Sequence, residues 1–209
     1  MGLATYREKR NFKITPEPAG DIKKTRPSPR LSYVIQKHQA SHLHYDFRLE
    51  WNGVLLSWAV PKGPSLDPAV KRLAMAVEDH PLEYGEFEGI IPEGQYGGGT
   101  VMLWDRGTWE PENPDVDASF RKGEIKFVLH GSKLKGSWVL VRTKGQYGRS
   151  AWLLIKHRDR YASATVDIVT EKPRSVKSRK LMAGVAASLG GDVRKAAAGD
   201  PAKIETKRR

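Results

Sequence analysis

Residues 42–51 constrain the fold more than any other stretch of the chain. They alternate strictly, with His42, His44, Asp46, Arg48 and Glu50 set against Leu43, Tyr45, Phe47, Leu49 and Trp51. A period of two is that of a β-strand, whose successive side chains point to opposite faces. One face of this strand is therefore apolar, and the other carries imidazoles, carboxylates and a guanidinium. Asn52-Gly53 follows at once and is a strong hairpin signal, with residues 54–60 returning from the turn.

Further strand signals recur at short spacing, at residues 31–36, 72–78, 100–104, 108–109, 124–130, 136–142 and 152–157. Asp105-Arg106-Gly107, between two of these runs, reads as a second hairpin turn. Many short strands with little helical pattern before residue 175 indicate an all-β sandwich or barrel. A closed antiparallel β-barrel fits best, with the polar face of the alternating strands assigned to its interior. Three regions follow. Residues 1–30 are polar and proline-containing and read as an arm wrapping the barrel, with a short helix at 6–12. Residues 31–170 form the barrel. Residues 171–209 lose their aromatics, become rich in Lys, Arg, Ala and Gly, and read as a disordered basic tail with a weak helix at 179–189.

Lys and Arg number 36 against 24 acidic residues, a net charge of +12, which favours a polyanionic partner, most often nucleic acid. The absence of Cys removes disulfides, thiolate metal sites and cysteine nucleophiles together. No apolar run has the length of a membrane span and the first residues lack a signal-peptide core, so no membrane partner and a cytoplasmic, nucleoid-associated location are expected.

Three of the six histidines fall between His38 and His44. Imidazoles beside a carboxylate form a ligand set that suits manganese, iron or zinc. Strand geometry nominates His42, His44 and Asp46, while His38 needs a bend at 39–41 to reach the same centre. Arg48, one step along that face, stands where an anion on the metal wants a second positive contact. His80, beside Asp79 and fixed by Pro81, is a candidate acid or base. The glycine-rich 92–100 segment lacks the Gly-Lys-Ser/Thr ending of a nucleotide-binding loop and is read as turn geometry.

Several unbroken motifs resemble the 3′-phosphoesterase domain of bacterial DNA ligase D: Gln-Lys-His…His-Leu-His-Tyr-Asp-Phe-Arg-Leu-Glu from Gln36, Leu-Leu-Ser-Trp-Ala-Val-Pro-Lys-Gly-Pro-Ser from Leu55, Val-Glu-Asp-His-Pro-Leu-Glu-Tyr from Val77, and Ile-Pro-Glu-Gly-Gln-Tyr-Gly-Gly-Gly from Ile91. The resemblance runs from about Tyr6 to His157. It implies a manganese-type ion, other divalent ions being possible, held by His38, His44 and Asp46, with His42 at a position where the family often has Arg. It implies phosphate contacts at Arg48, Lys62, Arg72 and His80, with Glu78 and Tyr84 lining the site and Arg10, Glu17 and Gln36 binding substrate. Asn11 stands where the family usually has Asp, so a sluggish sugar-dependent step is expected.

The implied activity is removal of a 3′-terminal ribonucleoside to leave a 3′-phosphate, then hydrolysis of that phosphate, on DNA or RNA-ended primer strands in non-homologous end joining. The implied partners are the ligase and polymerase modules of end joining and Ku. Two other classes stay open: a non-catalytic module that binds nucleic-acid ends around a structural metal, and a cupin-like oxygenase with iron on His42, His44 and a downstream carboxylate.

Overall fold

The computed structural model describes residues 2–20, 30–145, 148 and 150–202. Among the described residues there are ten strands: β1 (Ser32–Gln39), β2 (Leu43–Trp51), β3 (Val54–Val60), β4 (Arg72–Ala76), β5 (His80–Pro81), β6 (Gly89–Ile91), β7 (Gly99–Pro111), β8 (Glu124–Gly131), β9 (Lys135–Arg142) and β10 (Ala151–Lys156). Eight of them close a ring in the order β1-β2-β3-β4-β10-β9-β8-β7, with β7 returning to β1 and every pairing antiparallel. Short β5 and β6 extend from β3 and β7. The expected closed barrel is the observed one.

Local chemistry accounts for most of the ring. Trp51 pairs with Val54 across Asn52-Gly53, and both turn residues have positive φ, 47° and 78°, as a two-residue hairpin matched to strand twist requires. The second expected hairpin is not there. β7 runs straight through Asp105-Arg106-Gly107, because β1 pairs with both of its halves across an irregularity at Ile35/Gln36. Asp105 is buried and accepts from Tyr33 Oη, Lys133 N and Leu134 N, so it ties down the β8–β9 turn instead of making one. A Cβ on Gly107 would lie 2.2 Å from the His130 carbonyl oxygen, so glycine here serves close strand approach.

The interior assignment is reversed. Tyr45, Phe47 and Leu49 of β2 point inward with Trp58, Trp104, Trp109, Trp138 and Trp152, all buried in one apolar cluster. Aromatic side chains of this volume fill an eight-stranded barrel completely. The polar face of β1–β3 is outside, under a second layer. That layer holds helix α1 (Ala4–Glu8), a 3₁₀ turn (Leu82–Glu86) and a smaller cluster of Tyr6, Val34, Leu55, Tyr84 and Leu103.

The chain beyond Glu171 is not a disordered tail as far as residue 202. Helices α3 (Ile168–Glu171), α4 (Met182–Ser188) and α5 (Val193–Ala197) follow α2 (Val116–Lys122) in the chain. Ile168, Met182, Val185, Ala186 and Ala196 are buried in the main cluster. Asp200 accepts from Met182 N and Ala183 N, and the Lys172 carbonyl accepts from Trp104 Nε1 and Lys133 Nζ. The weak helix expected at 179–189 is α4. Residues 21–29 of the arm and 203–209 of the expected tail lie outside the described residues.

Candidate metal centre

The β1–β2 register pairs His38 directly with His44, and Asp46 follows two residues along the same outward face. One potential ligand atom from each of the three lies within 4.8 Å of the others. His38 Nδ1 stands 3.6 Å from Asp46 Oδ2, and His44 Nε2 stands 3.6 Å from Asp46 Oδ1. The opposite ring nitrogens face backbone carbonyls: His38 Nε2 is 2.7 Å from Gly97 O, and His44 Nδ1 is 3.0 Å from His42 O. A carbonyl only accepts, so those nitrogens carry protons, and the nitrogens beside Asp46 are the ones that share a proton with its carboxylate in the metal-free protein or bind a metal once that proton leaves. This is the outer-shell arrangement that orients metal-binding imidazoles, and the residues fit a divalent ion.

The three residues that the resemblance implied as ligands are the ones the structure brings together. His42, which strand-face reasoning nominated, is exposed and precedes β2; it contributes its carbonyl and not its ring. The short 40–42 connection brings His38 back opposite His44.

Burial alone would raise the Asp46 carboxyl, but the Arg48 guanidinium and hydrogen bonds from His38 and His44 outweigh it and hold Asp46 well below the usual carboxylate range. Burial lowers His44, yet its bond to Asp46 prevails and the ring is raised. A metal bound at this nitrogen would displace that proton.

The triangle opens into a cavity of about 310 Å³ whose lining includes Arg10, Arg48, Glu78, His80, Tyr84 and Tyr96. Arg48 is 2% exposed and fixed on several sides. Its Nε donates to Gln36 Oε1 at 2.8 Å and Nη1 to Ser57 Oγ at 2.8 Å; Nη1 also lies 2.9 Å from His80 Nδ1, a nitrogen that itself faces the Glu78 carbonyl at 2.9 Å, and Nη2 meets Asp46 Oδ2 at 3.2 Å. A guanidinium has five N–H donors, so one on Nη2 is left for an incoming anion. Arg10 reaches in from the arm. It binds Glu17 Oε1 at 2.8 Å and Glu78 Oε1 at 3.3 Å, and approaches His80 Nε2 at 3.3 Å. Burial first, then the charges of Arg48 and Arg10, push His80 well below the ordinary imidazole value, so its ring is neutral.

Several expected contacts act through other residues. Gln36 is fully buried and donates to the carbonyls of Tyr84 and Phe87, so all its hydrogen-bonding groups are used in holding Arg48 and the 3₁₀ turn. Tyr84 gives its hydroxyl proton to Glu17, and its ring lies 4.9 Å from the Arg48 Cζ. Lys62 and Arg72 do not line the cavity. Lys62 is exposed after β3, and the β4 register puts Arg72 on the face of Trp58, Trp152 and Leu154, the barrel interior. Asn11 is exposed and caps its own turn by accepting from Lys13 N. Sequence reasoning missed Tyr6, Ser57 and Tyr96. Of these, only Ser57 had a usable signal, since the Asn52-Gly53 hairpin register sets it opposite Arg48.

A family model described as DNA Ligase D 3′-phosphoesterase domain matches residues 36–142, about half of the chain. The multifunctional non-homologous end joining protein LigD of Pseudomonas aeruginosa is 51% identical over 182 residues, covering 86% of this chain and 22% of the relative. The multifunctional non-homologous end joining DNA repair protein LigD of Mycobacterium tuberculosis is 46% identical over 143 residues, covering 68% and 18%. The Mycolicibacterium smegmatis protein of the same kind is 44% identical over 167 residues, covering 75% and 21%. The chain spans about a fifth of the length of these relatives.

Proposed function

Since the chain belongs to the family of DNA ligase D 3′-phosphoesterase domains, we propose that it trims the 3′ ends of primer strands in non-homologous end joining. It removes a terminal ribonucleoside to leave a 3′-phosphate and hydrolyses that phosphate to a 3′-hydroxyl. One observation carries the reading: the His38–His44–Asp46 triangle faces the same cavity as Arg10, Arg48 and His80. A cluster built only to stabilise the fold has no use for two guanidiniums aimed into an open cavity beside it.

His38, His44 and Asp46 would hold a divalent ion, manganese in the first instance, which would supply Lewis-acid polarisation of a phosphate oxygen. The remaining work belongs to the chain's own groups. Arg48, immobilised by Gln36, Ser57 and Asp46, offers its free N–H from a fixed position, the condition for electrostatic stabilisation without reorganisation. Arg10 adds a second charge and closes the arm over the site through Glu17 and Glu78. His80 lines the cavity with Nε2 3.3 Å from Arg10 Nη2 and, once that nitrogen takes up a proton, can donate to an oxygen of the substrate. A bound phosphate dianion offsets the two guanidiniums that depress His80, so its capacity to take up and hand on a proton rises when substrate is in place. Lys62, outside the cavity, suits contact with the nucleic-acid backbone, to which the +12 charge adds sequence-independent attraction. The working partners of this reading are the primer-template end, the ligase and polymerase modules of end joining and Ku, in the cytoplasm at the nucleoid.

The test is phosphate release from a 3′-phosphorylated oligonucleotide. Release that needs an added divalent ion and vanishes in Asp46→Ala supports the reading. Tight binding of the end without turnover under any divalent ion would replace it with the binding-module alternative.

A further inference from the structure

Of the two tyrosines that line the cavity, Tyr84 is buried and Tyr96 is 50% exposed at the mouth. Tyr96 is carried by two successive turns, closed by Gln95 N to Pro92 O at 3.2 Å and Gly98 N to Gln95 O at 2.9 Å. It belongs to neither apolar cluster of the molecule. Its ring is nevertheless held from the arm side. Lys9 Nζ lies 4.7 Å from the ring centroid and 3.3 Å from the hydroxyl, and the Arg10 Cζ lies 5.6 Å from the centroid. The next residue, Gly97, gives the carbonyl that orients His38, so the loop that sets the metal ligand also sets this ring.

A nucleotide with its 3′-phosphate against Arg48 and Arg10 has to send its sugar and base out through the mouth. The exposed apolar surfaces waiting there are Tyr96 and Val77, 36% exposed. We propose that Tyr96 is a stacking platform for the base of the 3′-terminal nucleotide, a positioning residue that makes the site prefer ends carrying a base over abasic ends. This inference rests on the phosphoesterase reading above. Stacking on an aromatic ring tolerates any base, which suits a protein that meets ends of arbitrary sequence.

The experiment uses two 3′-phosphorylated primers, one ending in adenosine and one in a tetrahydrofuran abasic residue, with the full chain and the variants Tyr96→Ala and Tyr96→Phe. Tyr96→Ala should raise KM on the adenosine end on the order of 10-fold, leave kcat little changed and leave the abasic end unaffected. Tyr96→Phe, which loses only the hydroxyl contact to Lys9, should behave like the parent. In chelator, a primer ending in 2-aminopurine 3′-phosphate should be quenched on binding to the parent and to Tyr96→Phe but not to Tyr96→Ala. Equal losses on both ends, no loss on either, or quenching that survives in Tyr96→Ala would overturn the proposal. Failure of the parent to hydrolyse either primer would sink the phosphoesterase reading, and the 2-aminopurine signal would still decide the stacking.

Discussion

Replacing Gln36 by Met should damage both the fold and the site, although Gln36 has no group left with which to touch substrate. The side chain is fully buried, and Met fills nearly the same volume without polar atoms. The change strips Arg48 Nε of its acceptor and leaves the Tyr84 and Phe87 carbonyls without their donor. A hydrogen bond to a charged group contributes about 1.5–3 kcal/mol and each neutral one about 1 kcal/mol, so the loss should total roughly 3–5 kcal/mol. That is a large share of the ~5–15 kcal/mol that holds a domain folded. Arg48 keeps Ser57 and Asp46 but gains a rotational freedom it lacks in the parent. kcat/KM on a 3′-phosphate primer should fall on the order of 10- to 100-fold, the scale of outer-shell losses. Urea unfolding of the parent, Gln36→Met, Arg48→Met and the double variant isolates the pair. A coupling on the order of 1–3 kcal/mol is expected, since the two side chains share a buried bond. An unchanged unfolding midpoint with unchanged kcat/KM, or a coupling indistinguishable from zero, would refute the argument that Gln36 works by holding Arg48.

Three further outcomes are expected. A chain ending at Asp167 loses Ile168, Met182 and Val185 from the core, about 5–9 kcal/mol of burial; circular dichroism should show it largely unfolded, and a native melting profile would mean that these helices only decorate the barrel. His42→Arg should bind manganese within about twofold of the parent in calorimetry while His38→Ala loses on the order of 10-fold or more, and the reverse order would restore the strand-face ligand set. In metal-free protein, His80 stays neutral in the folded chain while its unfolded counterpart takes a proton below about pH 6.5, so folding stability falls as pH drops through that value. Relative to His80→Gln, the parent should lose about 1.2 kcal/mol more between pH 6 and pH 5, and parallel curves for the two would show that His80 is not held neutral.

The β-barrel was legible because its strands announce themselves twice, by alternation and by the turns between them, and the Asn52-Gly53 register then follows without further information. The His38–His44–Asp46 cluster was legible as a group of residues but not as a geometry. Counting faces along β2 favours His42, because a single strand carries no information about its partner. Only the pairing of β1 with β2, fixed by the length of the 40–42 connection, brings His38 across to His44. The failure at Asp105-Arg106-Gly107 has the same origin. A turn signal and a strand signal that needs Gly for close approach are identical locally, and β1 on one side with β8 on the other decides between them.

The reversal of inside and outside shows what alternation cannot say. A strand with one aromatic and one polar face states that the faces differ, but either face can be buried when a second layer covers the other. Here volume settles it: five tryptophans already occupy the barrel, and no room remains for Arg48 and its partners. The polar face must therefore be covered from outside, by segments with weak amphipathic signals of their own. Tyr6 needs only to lie against His80 and Tyr84, with ring centroids 4.9 and 6.0 Å away, while Ala186 and Ala196 join the main apolar cluster. A scarcity of aromatics after Glu171 thus reflects a layer whose large partners lie elsewhere in the sequence. The same outer placement is what the proposed phosphate chemistry requires. A barrel interior packed with tryptophan excludes a phosphate, whereas a cavity between the barrel wall and a folded-back arm keeps Arg48 rigid on one side and leaves the mouth open on the other.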